Sequence, residues 1–220
     1  MQIIWHGQSC FQILAEPEKN VEAKLVIDPF DETTTGLRLP LSFEREGANI
    51  VLITCPEHAD KKAVKGYPFL IEGPGEYEIK SIYIEGIPTV CDEKHCSKPI
   101  QTTIYTIEAE ELRLCHLGDT NQKELTEEQL EKIGDIDILM IPIGGNLTID
   151  AASASKIISQ IEPKIVIPMH YQVPKLKMKL DGVERFLKVM GIKSLQPEAK
   201  LTIKKKNITE EETKIVLLNP

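Results

Sequence analysis

Short apolar runs that end abruptly at a turn or a polar residue recur along the whole chain. Ile3-Ile4-Trp5, Ala23 to Ile27, Ile50 to Ile53, Phe69-Leu70-Ile71, Thr102 to Ile107, Leu114 to Leu117, Ile138 to Ile141 and Ile165 to Ile167 all have this form. Runs of four to eight residues bounded by Gly, Pro, Asp or Ser read as strands. Between Tyr67 and Ile107 the runs are short and separated by turns, which predicts an antiparallel layer. Helices are expected in the second half. Thr126-Glu127-Glu128-Gln129 has the spacing of a capping box before Leu130 and Ile133, with Gly134 as its stop. Asp150 is placed to cap a helix from Ala151 to Ile161, ended before Pro163, and Val183 to Met190 reads as a third helix. Residues 31–48 read as a polar loop. Lys200 to Lys204 and Lys214 to Leu218 read as closing strands. Strands alternating with helical patterns predict a layered α/β architecture. The 220 residues contain no interior linker and no clear repeat, so one domain over 1–220 is expected.

The candidate chemistry lies where three of these strands stop. Leu114 to Leu117 leads to Gly118-Asp119, Ile165 to Ile167 leads to Pro168-Met169-His170, and Ile50 to Ile53 leads to Thr54-Cys55-Pro56-Glu57-His58-Ala59-Asp60. Loops at strand ends are where an α/β layer presents functional side chains. Gly73-Pro74-Gly75 has neither the Lys-Ser/Thr of a phosphate loop nor the glycine spacing of a dinucleotide site, and reads as a tight turn.

Composition narrows the function classes. A net charge of −8 argues against a nucleic-acid surface, and the basic run Lys204-Lys205-Lys206 reads as a solvated strand end. No apolar stretch is long enough for a membrane span, and Met1 to Trp5 has the pattern of a strand, not of a signal peptide. Five irregularly spaced cysteines do not form a secreted disulfide framework, which points to a reduced cytoplasmic protein. Cys10 and Cys115, in apolar strands, read as buried packing residues.

Several motifs occur together in a recognisable order: Trp5-His6-Gly7-Gln8-Ser9-Cys10-Phe11, Asp28-Pro29-Phe30, Gly75-Glu76-Tyr77-Glu78-Ile79, Cys115-His116-Leu117-Gly118-Asp119, Ile141-Pro142-Ile143-Gly144-Gly145 and Ile167-Pro168-Met169-His170-Tyr171. In this the chain resembles the metallo-β-lactamase superfamily, and within it the branch of small Zn-dependent hydrolases. The resemblance implies a four-layer αββα sandwich with a site at one edge between the sheets. It also implies a His-x-His-x-Asp-His loop, a later His, the Asp of a Gly-Asp pair and a final His. Together these hold two zinc ions that make hydroxide available near neutral pH.

Measured against that pattern, five of the seven ligand positions are substituted. Cys55 and Glu57 stand where the first two histidines are expected, Ala59 replaces the Asp, Asp60 the last His of the loop, and Cys91 the later His; Asp119 and His170 match. The opening motif, commonly Gly-His-Ser, here reads Gly7-Gln8-Ser9. Two readings follow. In one, the dinuclear site is lost and the fold serves a non-catalytic role, binding a small molecule or a protein partner, with dimers or larger assemblies in keeping with the resemblance. In the other, Cys55, Glu57, Cys91, Asp119 and His170, with Asp60 beside them, form a rewired site for one zinc ion. His58, one place past the second ligand position, reads as a surface residue. His116 reads as a structural, hydrogen-bonded histidine, and His95 and Cys96 as solvated loop residues. A thiol mechanism at Cys55 or Cys91 would require a neighbouring base.

Overall fold

The computed structural model describes residues 1–91, 100–208 and 212–220, with Glu44 and Cys91 described by backbone alone. Two mixed sheets stack with their apolar faces together. In the first, the strands β1 (Gln2–Trp5), β2 (Phe11–Glu18), β3 (Val21–Ile27), β4 (Ile50–Leu52) and β5 (Phe69–Ile71) run in sequence order, and β12 (Leu201–Thr202) adds outside β1. The second contains β6 (Gly75–Ile79), β7 (Ile82–Cys91), β8 (Ile100–Ala109), β9 (Leu112–His116), β10 (Ile138–Pro142), β11 (Ile165–Met169) and β13 (Lys214–Ile215), again in sequence order across the sheet. One continuous core joins the two. It runs from Trp5, Phe11 and Leu25 in the first sheet to Tyr105, Leu114 and Met140 in the second.

Each sheet changes from antiparallel to parallel part-way across. β3, β4 and β5 pair in parallel, as do β9, β10, β11 and β13. Central parallel strands are covered on both faces, so they are apolar throughout. All five residues of β10 and of β11 are buried. The parallel half also aims the ends of β4, β9 and β11 at the places where the sequence puts its candidate chemistry.

The antiparallel layer differs from the expectation. Instead of several short strands, β7 and β8 are each ten residues long and pair from Tyr83–Glu108 to Cys91–Ile100. Pro88 interrupts the pattern in the sequence but not in the sheet. β6 pairs only with 82–86, so the missing N–H of Pro88 faces no strand. Phe69 to Ile71, read with that layer, instead extends the first sheet in parallel with β4.

Three helices match their sequence signals. α3 (Glu127–Ile133) has the complete capping box: the Gln129 N–H donates to Thr126 Oγ1, while the Gln129 side chain accepts from the Thr126 N–H. The α4 helix (Ala151–Ile161) is capped by Asp150, which accepts from the Ser153 N–H. α5 spans Val183–Val189. The polar stretch 31–48, expected to be a loop, contains two short helices, α1 (Glu32–Thr35) and α2 (Leu41–Arg45). Asp31 supplies the cap of α1 by accepting from the Thr33 N–H. α2 persists because Phe43 is fully buried, with the His6 ring edge-on to it.

The basic run at 204–206 is also more than a solvated end. Lys205 donates to both oxygens of the buried Asp137 at 2.7 and 2.8 Å, and the Arg113 N–H donates to the same carboxylate. Among the described residues no helix is long and apolar enough to cross a membrane.

Removing the α3 cap tests the helix assignment. Thr126→Ala is expected to lower folding stability by about 1 kcal/mol. Urea unfolding would show this as a reduced midpoint with an unchanged slope.

Candidate functional site

The site forms where the ends of β4, β9 and β11 meet the turn between β1 and β2. That turn contributes Gln8 and Ser9, the end of β3 contributes Asp28, and the three strand ends contribute Cys55 and His58, Asp119, and His170. Tight backbone geometry makes the convergence feasible. Gly118, at φ +61°, lies so close to Thr54 that an added Cβ would sit 2.5 Å from Thr54 Oγ1. Gly144 packs against the His170 carbonyl, where a Cβ has no room. Gln8, Asp28 and His170 all adopt positive φ (49°, 45° and 51°). For non-glycine residues that conformation costs on the order of 1–2 kcal/mol each. Strain of this kind is characteristic of functional sites.

Asp119 is at the centre. One carboxylate oxygen accepts from the Ser9 hydroxyl, and the other is 2.8 Å from His58 Nδ1. His170 Nε2 lies 3.8 Å from the oxygen that Ser9 also contacts. The carboxylate is 11% exposed and His58 27% exposed. Burial alone would favour the neutral acid. The pull of the neighbouring His170 and His58 rings, with hydrogen bonds from His58 and Ser9, outweighs it and holds Asp119 well below the usual carboxylate range. In return the hydrogen bond to Asp119, followed by one to the Cys55 side chain, pushes the His58 imidazole up to about 11. Asp119 and His58 therefore form an ion pair at neutral pH.

The surrounding groups are fixed in other states. Burial and the neighbouring Asp119 charge push Asp28 up to about 8, although it accepts from the Thr54 N–H at 2.8 Å and the Thr54 hydroxyl at 2.5 Å. Burial pushes His170 down despite the Asp119 charge, and its backbone N–H donates to the Gln8 carbonyl at 3.1 Å. His116 is fully buried and neutral. The Gly118 N–H donates to His116 Nδ1 at 3.1 Å, which leaves Nε2 to donate to the Ser9 carbonyl at 3.0 Å. It is a positioning residue that fixes the Ser9 turn over Asp119. Gln8 is the exception to this order. It is buried, yet its amide oxygen and nitrogen both lack a hydrogen-bond partner.

The residues singled out in the sequence have different fates. Asp119 and His170 come together. Cys55 is buried, 2% exposed, with Ile100 packed against it, and its carbonyl accepts from the His58 N–H. Glu57 is exposed on the loop. Asp60 turns away and caps the 3-10 turn Lys61–Ala63, accepting from the Lys62 N–H at 3.0 Å. The side chain of Cys91, and Asp92, His95 and Cys96, lie outside the described residues. His58, expected at the surface, is instead an Asp119 partner. The loop from Cys55 folds as a turn, with the His58 and Ala59 N–H groups donating to the Cys55 carbonyl, and this swings the imidazole inward. A histidine three residues after a cysteine at a strand end was the available signal; only the turn gives it direction.

A pair of zinc ions does not fit these residues. Ala59 offers no donor, Asp60 is used as a cap, and Ser9 and His58 occupy the carboxylate oxygens of Asp119. Among the described residues no group of three or more His, Cys, Asp or Glu side chains is arranged to hold a metal ion.

The electrostatics predict distinct histidine titrations. His6 and His116, both lowered to about 4, should remain neutral until strongly acidic pH, whereas His58 should stay charged beyond pH 9. Proton NMR of the imidazole resonances would resolve them. The sign for stability follows from linkage. The His58 contribution is complete below its unfolded value of 6.5 and is lost as pH rises toward about 11. His58→Ala should cost about 3 kcal/mol by leaving a buried carboxylate uncompensated. Adding Asp119→Asn should recover part of that loss, and a double-mutant cycle measures the coupling.

Comparison with known proteins gives the lineage. A UPF0173 protein of Pyrococcus abyssi is 28% identical over 194 residues, which cover 78% of this chain and 83% of the relative. A UPF0173 metal-dependent hydrolase of Thermoplasma volcanium is 28% identical over 206 residues, with the same coverage. Among solved structures, a candidate Zn-dependent hydrolase of the metallo-β-lactamase superfamily from Thermotoga maritima superposes with a TM-score of 0.76 at 29% identity, covering 99% of this chain and 98% of that one. The family profile described as a β-lactamase superfamily domain matches residues 2–170. The chain belongs to the β-lactamase superfamily, with metal-dependent hydrolases among its relatives.

Proposed function

We propose that this protein is a divergent member of the metal-dependent hydrolase branch in which a hydrogen-bonded ion pair has replaced the dinuclear metal centre, and that it acts by binding and not by metal-assisted hydrolysis. The observation that carries this reading is the state of Asp119. In the family pattern its position supplies a carboxylate to metal. Here Ser9 and His58 take its two oxygens, and the His58 imidazolium supplies the positive charge that a buried carboxylate needs. The substitutions at Ala59 and Asp60 agree with this, because neither is available as a ligand.

A ligand-binding role has a place to operate. A cavity of about 690 Å³ begins at Tyr171, the residue after His170, and is walled by Val173, Val183, Leu187 and Leu217. Its volume and apolar walls suit a small molecule. The Tyr171 ring packs on Trp5, with centroids 4.9 Å apart, and Trp5 Nε1 donates to the Gln8 carbonyl. Binding in the cavity is thereby linked to the turn that holds Ser9 against Asp119.

A second reading is favoured by the 3.8 Å approach of His170 Nε2 to Asp119 and by the names of the relatives. It is a hydrolase with one metal ion held by His170, Asp119 and His58, joined by whichever of Cys55, Glu57 and Cys91 reaches it. That arrangement requires His58 and Ser9 to release the carboxylate, so metal binding must compete with an existing ion pair.

Zinc titration separates the two. Untagged, reduced wild-type protein is expected to retain less than about 0.1 equivalent of zinc after dialysis and to show no zinc-dependent turnover of ester or phosphodiester substrates. One or two equivalents lost in Asp119→Asn, together with zinc-dependent turnover, would establish the hydrolase reading.

A further inference from the structure

The cavity that begins at Tyr171 is shaped by the way α5 ends. Gly191, at φ +73°, stands just past the helix. The Ile192 N–H donates to the Leu187 carbonyl at 2.8 Å, and the Gly191 N–H to the Lys188 carbonyl at 3.2 Å. This pair of bonds around a left-handed glycine is a Schellman motif, which folds the residue after the glycine back onto the last helical turn. Leu187 and Ile192 therefore line the same cavity, and so do Lys188 and Lys193, each one place further on. The chain then returns to its C-terminal stretch. The Glu198 N–H donates to the Leu217 carbonyl and the Asn219 N–H to the Glu198 carbonyl, both at 2.9 Å, which adds Leu217 to the lining.

Two features of this lining select an occupant. Tyr171 is only 6% exposed, yet its hydroxyl makes no hydrogen bond among the described residues. Burial pushes the phenol above its ordinary range, so it is a neutral donor at physiological pH. A buried hydroxyl without a partner is a place for an acceptor on a ligand. The charges agree with this. Lys188 and Lys193 are exposed and have no ion-pair partner among the described residues, although the chain carries a net charge of −8. Glu184 is the acidic side chain on the lining, and its carboxylate is turned back toward Gly182, where an added Cβ would lie 2.4 Å from Oε2. It sits at the other end of α5 from Lys188. Two lysines against one glutamate leave a single positive charge, which suits a monoanion better than a doubly charged phosphate monoester.

We propose that this cavity binds an alkyl carboxylate. Its chain lies against Val183, Leu187 and Leu217, and Lys188 and Lys193 neutralise its charge from the rim, with the Tyr171 hydroxyl as a neutral donor inside the same cavity. A volume of about 690 Å³ admits a medium-length chain. This assignment names the ligand class of the binding reading above and rests on that reading.

The protein carries its own reporter. Trp5 is the single tryptophan, and its ring lies 4.9 Å from that of Tyr171. Decanoate is titrated into chelator-washed protein while Trp5 fluorescence is followed, with calorimetry as a second measurement. Decylamine, with a similar chain and the opposite charge, and uncharged decanol serve as controls. The expected result is saturable binding of decanoate, at least about fivefold tighter than of decylamine. The double variant Lys188→Gln/Lys193→Gln, altered only at exposed positions, should weaken decanoate at least about fivefold and leave decanol unchanged. Val183→Phe, which fills the cavity from a half-buried position, should weaken all three. Should that variant fail to fold, as judged by circular dichroism, the lysine pair still decides. No saturable binding of decanoate by either measurement, decylamine binding as tightly, or an unchanged decanoate affinity in the lysine variant would overturn the proposal. Zinc content and zinc-dependent turnover measured on the same preparation separate the two levels. Zinc-dependent turnover with decanoate binding intact overturns the metal-free reading alone, whereas a zinc-free protein that takes no decanoate overturns this ligand class alone.

Discussion

A carboxylate that stays ionised at the bottom of a protein needs a cation, and this requirement organises the end of the sandwich where Asp119 sits. In the ligand pattern that the resemblance implies, metal ions would fill that need. Here His58 does so from one side while the Ser9 hydroxyl takes the other oxygen. The consequences spread outward through hydrogen bonds. Ser9 must be held still, which His116 achieves by donating to its carbonyl. His116 can do this only as a neutral ring with Nδ1 accepting, and the Gly118 N–H fixes that tautomer. Gly118 in turn must approach Thr54, whose N–H and hydroxyl hold Asp28. One charge requirement therefore connects the ends of four strands.

The same logic explains why Asp28 and Asp119 take opposite protonation states. Two nearby buried carboxylates do not both ionise unless cations compensate them. The His58 imidazolium lies against Asp119, so Asp119 keeps the charge and Asp28, raised to about 8, remains neutral at physiological pH. Among the described residues, the buried polar side chains around Asp119 form a self-consistent cluster in which Gln8 alone has side-chain nitrogen and oxygen atoms without a partner.

Stability and chemistry are distributed differently through the fold. The parallel strands β10 and β11 are buried along their whole length and form a stiff platform. The strained residues Gln8, Asp28 and His170 lie at its rim, where the loops from both sheets meet. A rigid core tolerates such strain because it over-determines the loop positions. In the proposed reading one kind of centre has replaced another without rebuilding the sandwich, since only strand-end residues differ.

Local signals determined a good deal of this protein. The apolar runs at 50–53, 138–141 and 165–167, the capping box at Thr126 and the Asp150 cap each specify an element through interactions within a few residues, and the structure contains them. The motif order pointed to the four-layer fold, and Asp119 and His170 were legible because they stand at strand ends. Other features depended on distant partners. The helix at Leu41–Arg45 exists because Phe43 finds a buried place, and Pro88 fits within a strand because β6 stops short of it. Lys205 left the solvated run to meet Asp137, and Asp60 became a cap in place of a ligand. The role of His58 could not be read from its spacing, which placed it one residue out of register. A turn of the chain and the charge on Asp119, 61 residues away, decided it. Local sequence fixes backbone preference through short-range sterics and hydrogen bonds; which side chain compensates a buried charge is settled only when remote strands have brought that charge into reach.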